Sequence, residues 1–150
     1  MENDNRDFVT IRLSGQLCGI PVLDVHDVLS EQPITAVPLA PSAVAGVLNL
    51  RGRIVTAIDL RKRLGLPPQE PGSENMSIVV EYQDEPYSLL IDSIGDVMSF
   101  PEDSFESNPV TLSQRWQEVS NGIFRLKGEL LVILDVEKLL NLDKGQATAA

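Results

Sequence analysis

Apolar and polar residues alternate over Val9, Ile11 and Leu13 against Thr10 and Arg12, break at Ser14-Gly15 and resume from Leu17 to Ile20. A period of two around a turn dipeptide predicts a β-hairpin. Gly46 to Leu50 and Arg53 to Ile58 are apolar runs on either side of Arg51-Gly52, and Ile123 to Leu126 and Leu130 to Leu134 flank Lys127-Gly128 in the same way. A glycine after a basic residue at a tight reversal predicts a positive φ, which glycine adopts without steric cost. Ile78 to Tyr82 and Tyr87 to Ile94 predict a further hairpin across Gln83-Asp84-Glu85-Pro86. Val22, Val25, Val28 and Leu29 recur at helical spacing, as do Leu60 and Leu64, and Val136 to Leu142 reads as a terminal helix. Asp59 and Asp135 stand where the N-caps of the latter two helices belong. Many short strands at close spacing predict small barrels rather than a parallel sheet.

These patterns occur twice. Gly46 to Leu64 lies ungapped over Gly122 to Leu140 at an offset of 76, with six of 19 positions identical, and Val9 to Val28 lies over Ile78 to Val97 at an offset of 69. Two unlike copies of about 65 residues are too few for a solenoid, so the repeat predicts a duplicated small domain packed about a pseudo-twofold. Pro67, Pro68, Pro71 and Gly72 mark a linker. The expected organisation is a disordered tail over 1–7, a first subdomain over about 8–68, a linker over 69–75, a second subdomain over about 76–142 and a disordered tail over 143–150.

Composition narrows the function. With 43% hydrophobic residues the 150-residue chain can bury a core. Its net charge of -10 disfavours nucleic acid and anionic lipid as partners. No apolar run approaches the roughly 18 residues a membrane helix requires. The single cysteine, Cys18, makes no internal disulfide, and no secretory leader is evident, so the cytoplasm is the expected compartment. His26 is the sole histidine and reads as an exposed helix residue. Without a cluster of His and Cys, a Gly-x-Ser-x-Gly elbow or a phosphate-cradling loop, no catalytic residue, metal site or cofactor is expected. Asp92 and Asp96 read as a solvated acidic face, Cys18 as a small apolar residue at a strand end, and Trp116 as the cover of a barrel mouth.

Gly46-Val47-Leu48-Asn49-Leu50-Arg51-Gly52-Arg53-Ile54-Val55, followed by Ala57-Ile58-Asp59-Leu60-Arg61, resembles the signature of the CheW-type chemotaxis adaptors. The similarity extends over 8–142, through Val25-His26-Asp27-Val28, Ile91-Asp92-Ser93-Ile94-Gly95-Asp96-Val97 and the segment from Leu131 to Leu140. It implies two five-stranded SH3-like barrels, no catalysis, and a free-standing adaptor that joins the cytoplasmic tips of chemoreceptors to the regulatory domain of a CheA-type histidine kinase. The membrane is then reached through receptor arrays, without direct insertion.

The same resemblance implies roles for particular residues. Val25, Asp27, Gly46, Arg51, Ser88, Ile94 and Val97 fall at positions of the receptor-binding groove, a helix-in-groove arrangement with aliphatic contacts and polar ends. For Val25, Ile94 and Val97 a core reading stands beside the groove reading, and for Gly46 a bulge. Arg51 has the alternative of holding its turn by bonding Asp59 or a backbone carbonyl. Val22 lies where a first kinase-contact patch belongs, and Asn108 roughly where the family carries an apolar kinase contact, which puts the second ring contact in question. Asn49, Gly52, Asp59, Gly122, Gly128 and Asp135 are expected to be structural. Thr56 departs from a common proline, and Leu17-Cys18 from a frequent aromatic. The competing functions are a decoy that binds only kinase or only receptor, and a small-ligand barrel using the groove between the two halves.

Overall fold

The computed structural model describes residues 5–30, 32–70 and 76–141. They form ten strands, β1 (Asn5–Leu13), β2 (Gln16–Pro21), β3 (Val25–Ser30), β4 (Val44–Leu50), β5 (Arg53–Asp59), β6 (Met76–Tyr82), β7 (Glu85–Ile91), β8 (Ser93–Pro101), β9 (Ser120–Leu126) and β10 (Glu129–Leu134). Three short helices join them, α1 (Leu60–Leu64), α2 (Gln114–Gln117) and α3 (Val136–Leu140), with single 3-10 turns at Val22–Asp24 and Glu102–Ser104. Four hairpins turn on two residues each. Ser14-Gly15, Arg51-Gly52 and Gln83-Asp84 hold both residues at positive φ, the combination that matches the right-handed twist of the flanking strands. The third of these turns is shorter than expected from sequence, since Glu85 and Pro86 already belong to β7.

The strands form two five-stranded sheets, ordered β8-β1-β2-β10-β9 and β3-β6-β7-β5-β4. The repeat read from the sequence is honoured pair by pair. Thr10 faces Gly19 as Val79 faces Ser88, and Ile133 faces Gly19 as Ala57 faces Ser88. The copies do not, however, fold as consecutive subdomains divided at the linker. The first sheet takes β1 and β2 from the first copy and β8, β9 and β10 from the second; the other sheet takes the complement. The reason is that β2 bonds β10, and β7 bonds β5, in parallel. Parallel neighbours cannot be joined by a tight turn, and here each such pair takes one strand from either copy.

Three further expectations are corrected. The tail does not extend to residue 7: Asn5 to Asp7 pair with β8, where Asp7 accepts a hydrogen bond from the Ser99 hydroxyl, while 1–4 and 142–150 lie outside the described residues. Val25 to Leu29 form a strand rather than a helix, with half-buried Val25, Asp27 and Leu29 alternating with exposed His26, Val28 and Ser30. The open edge of β6 and the β-branched valines override the helical spacing. Ser93–Pro101, unassigned beyond Ile94 by pattern, is the equivalent edge strand of the first sheet. The two capping aspartates act as expected, Asp59 accepting from the Lys62 amide and Asp135 from the Lys138 amide.

Between the sheets lies the main core, in which Ile11, Cys18 and Ile20 meet Ile58, Ile78, Leu89 and Ile91. Trp116 on α2 is buried in this shared core. Each sheet carries a smaller cluster on its other face: Phe8, Leu17, Phe124, Leu131 and Ile133 in the first, Leu48, Val55 and Ala57 in the second. The chain passes from sheet to sheet twice, at Val22–Asp24 and at Asp92.

The second crossing is locked. Asp92 accepts from Arg61 Nε at 2.9 Å and Nη2 at 2.5 Å, from the Ser14 amide at 2.8 Å and from Gln69 Nε2 at 3.2 Å. The reading of Asp92 as part of a solvated face therefore fails, because α1 and the β1–β2 turn converge on it. Burial pushes its carboxyl up, but bonds from Arg61 and Ser14 bring it below its ordinary range. A carboxylate depressed by folding stabilises the protein above its unfolded pKa, and the contribution is lost as pH falls through the folded value. Stability is expected to fall below about pH 4. Asp92→Asn is expected to be less stable at pH 7 and to lose part of that acid dependence, read from urea midpoints at pH 7 and pH 3. An unchanged acid slope in the variant would contradict this role.

Candidate adaptor surface

Two edge strands carry most of the expected groove residues. Val25 and Asp27 stand on β3, Ile94 and Val97 on β8, at equivalent places: Val25 faces Val80 as Ile94 faces Ile11. Both strands kink near this point, with bulges between Val25 and Asp27 and between Val9 and Ile11 of the β8 partner. Val25 and Ile94 are half-buried and pack on the shared core, so the core and groove readings both describe them. Val97 is 59% exposed, and its equivalent Val28 is 42% exposed. Each sheet edge thus presents one aliphatic side chain to solvent, next to another rooted in the core.

Arg51 meets Asp27, with Nη1 2.9 Å from Oδ2. Its expected alternative partners, Asp59 and a backbone carbonyl, are not the ones it takes. The Arg51-Gly52 turn is held by Asn49, whose Oδ1 accepts from the Gly52 amide at 3.0 Å. That leaves the guanidinium to reach across to β3, where Asp27 Oδ1 accepts from the Val28 amide. Arg51 remains 76% exposed while Asp27 is 26% exposed. An exposed pair of this kind contributes about 0–1 kcal/mol, so it exchanges readily for contacts with a partner. Beside it is a shallow cleft of about 180 Å³ over Val55 and Val79, rimmed by His26, Arg53 and Glu81. His26 is exposed, as expected, but on a strand.

Two expected groove residues are placed elsewhere. Ser88 is 0% exposed on β7, out of reach of a helix docked on the outer surface. Gly46 is buried at a bulge in β4, with φ 151°, beneath the bridge in which Thr35 and Val47 exchange hydrogen bonds of 2.8 Å. A Cβ there would collide with the Thr35 carbonyl. Gly122 repeats the device beneath the Glu106–Ile123 bridge, and Gly128 at φ 89° serves the β9–β10 turn. The close approach that Gly46 permits is that of its own chain.

The residues expected at the kinase surface have exposed neighbours that the pattern missed. Val22 packs on the shared core, whereas Leu23, next in the 3-10 turn, is 94% exposed. Asn108 is committed to Ser120, whose hydroxyl donates to Asn108 Oδ1 at 2.9 Å while Asn108 Nδ2 donates to the Ser120 carbonyl. Val110, two residues on, is 95% exposed. Periodicity counts both aliphatics as core; the available signal was their position just after Pro21-Val22 and Pro109, where no strand can bury them.

Burial holds the Cys18 thiol well above its ordinary range, which keeps it protonated and unreactive. Among the described residues, no group of three or more His, Cys, Asp or Glu is placed to hold a metal ion, and no helix is long and apolar enough to cross a membrane.

Comparison with known proteins agrees on one family. The CheW-like domain matches residues 7–144. The probable chemotaxis protein CheW of Rhizobium etli is 24% identical over 147 residues, covering 98% of this chain and 95% of that protein. The chemotaxis protein CheW of Bacillus subtilis is 30% identical over 140 residues, covering 93% and 90%. The crystal structure of the scaffolding protein TtCheW from Thermoanaerobacter tengcongensis superposes with a TM-score of 0.83 at 28% identity, covering 92% of this chain and 94% of that one.

Proposed function

The chain belongs to the CheW-like domain family and is an adaptor of chemotaxis signalling, and we propose from that premise that it joins chemoreceptor tips to the regulatory domain of a CheA-type histidine kinase in the cytoplasm. The observation that carries the receptor half of the reading is the exposed Arg51–Asp27 pair on the edge strand that bears Val25, with Ile94 and Val97 at the equivalent places on the edge strand of the other sheet. A receptor tip is an amphipathic helical hairpin. Its apolar stripe needs a row of aliphatics, and its polar flank needs a displaceable charge pair. In this reading each sheet curls into an SH3-like barrel, with the Thr35–Val47 and Glu106–Ile123 bridges drawing the open ends together. No chemistry on a substrate is assigned.

The kinase half rests on exposed aliphatics in two connections, Leu23 between β2 and β3 and Val110 between β8 and β9. Leu23, rather than Val22, carries the first contact, and Val110, rather than Asn108, the second. A fully exposed leucine or valine next to a proline-stiffened turn is suited to insertion into an apolar pocket of a partner. With the Arg51–Asp27 surface offered to the receptor and Leu23 and Val110 to the kinase, the bridging role is favoured over a decoy that binds one partner.

The test is co-sedimentation with receptor-containing membranes and a CheA-type kinase, with kinase activity assayed alongside. Arg51→Glu places a second carboxylate against Asp27 and is expected to weaken receptor recruitment at least about tenfold, equivalent to about 1.4 kcal/mol. Its melting temperature should stay within a few degrees of wild type, as for other surface changes. Unchanged recruitment would remove the pair from the receptor surface. Recruitment of receptor without kinase, or of kinase without receptor, would establish the decoy.

A further inference from the structure

The two sheets share one strand order but are filled differently on the faces turned away from the shared core. The first sheet gathers all four phenylalanines of the chain there, Phe8, Phe100, Phe105 and Phe124, with Phe100 stacked on Phe124 at a centroid distance of 4.7 Å. At the equivalent places the second sheet has Ser77 for Phe8 and Leu48 for Phe124, and Ile34 precedes its bridge as Phe105 precedes the other. Gly19 and Ser88 are also equivalent. In the first sheet a Cβ at Gly19 would lie 3.1 Å from Ile133 Cδ1 and 3.3 Å from Phe8 Cβ, so that face is filled down to the backbone. In the second sheet a whole hydroxymethyl group fits at Ser88.

Space remains even so. A hollow of about 280 Å³ opens between Ile34, Leu48, Met76 and Leu90, with Gln32, Pro33, Ser77 and Ser88 completing its wall. The Ser88 hydroxyl is fully buried and has no hydrogen-bond partner among the described residues. Buried hydroxyls are nearly always bonded, so an unpartnered one in the wall of a hollow marks a place for a hydrogen-bonding group. An apolar cavity of about 150 Å³ holds a benzene ring, and this one is larger.

We propose that the hollow is a binding site for a small single-ring aromatic molecule bearing one hydroxyl, the chemistry of phenol. The ring takes the place that the Phe8 ring occupies in the sister sheet, walled by Ile34, Leu48, Met76 and Leu90. Its hydroxyl pairs with Ser88 Oγ, which both donates and accepts. The site is separate from the Arg51–Asp27 surface and does not depend on the adaptor reading.

Phenol titrated into the full chain, followed by methyl NMR, is the test. Saturable shifts are expected at the methyl groups of Ile34, Leu48, Met76 and Leu90, with millimolar affinity. Ser88→Ala is expected to weaken phenol about fivefold, as for loss of one neutral hydrogen bond, and to leave toluene unaffected. Ser77→Phe supplies the ring from the protein itself and should abolish the shifts while the protein stays folded; Leu48→Phe serves the same purpose should that variant misfold. Absence of saturable shifts in wild type, their persistence in a folded ring-filled variant, or equal affinity for phenol in Ser88→Ala would each overturn the proposal.

Discussion

Residues 1–70 expressed alone are expected to show no cooperative unfolding transition, and neither are residues 71–150; mixed in equal amounts, the two should recover the β-sheet signal of the intact chain. The expectation follows from the exchange of strands between the copies. The first fragment retains only the β1–β2 and β4–β5 hairpins, since β3 bonds only β6, and β5 loses β7. A lone two-stranded hairpin is marginal in water. The shared core is divided as well, with Ile11 and Ile20 on one fragment and Ile78, Leu89 and Leu134 on the other. Recombination restores every pairing, together with the bonds from Arg63 to the Leu139 and Lys138 carbonyls that close α3. Circular dichroism and analytical ultracentrifugation on separate and mixed fragments decide the matter. A monomeric fragment 1–70 that melts cooperatively would mean that the copies are independent subdomains after all.

Phe124→Ala is expected to cost about 3–5 kcal/mol, while Leu48→Ala, its equivalent in the other sheet, should cost nearer 2 kcal/mol. Phe124 is 1% exposed and touches three rings, with centroids at 4.7, 5.4 and 5.5 Å. Its removal leaves a void that neighbouring sheet backbone cannot collapse to fill. Leu48 is nearly as buried but already borders an open hollow, so it gives up fewer close contacts. Against a total stability of about 5–15 kcal/mol, the first loss threatens folding at 37 °C and the second does not. Urea midpoints of the two variants provide the comparison. Equal losses would show that the two faces are packed alike.

Local signals in the sequence were reliable where a single residue type settles the geometry. Asp59 and Asp135 cap their helices, Gly52 and Gly128 turn their hairpins, and both repeat offsets reappear in the strand registers. Pattern reading went astray at Val22 to Leu29, where valines at helical spacing form an edge strand, because the deciding factor is the unpaired edge of β6 some 50 residues away. The exchange of strands was equally hidden. A repeat tells which segments are alike, but whether copy one bonds to itself or to copy two depends on parallel pairs, which leave no mark in the composition of either strand. The surface was legible in part. The family signature singled out Asp27 and Arg51, which touch; it also singled out Gly46, covered by Ile34 and Thr35, and Ser88, buried on the inner strand β7. Leu23 and Val110 escaped because hydrophobicity alone does not distinguish a buried leucine from one left in solvent.

The paired crossings at Val22–Asp24 and Asp92 bear on how such a molecule transmits force. Two tethers a few residues long, together with one core common to both sheets, leave the sheets little freedom to separate or slide. Val25 and Ile94 are set one to two residues beyond them, at the roots of the two edge strands. A helix docked on either residue would press on a side chain that also packs into the core common to both sheets, so the contact is felt on both sides of the molecule at once.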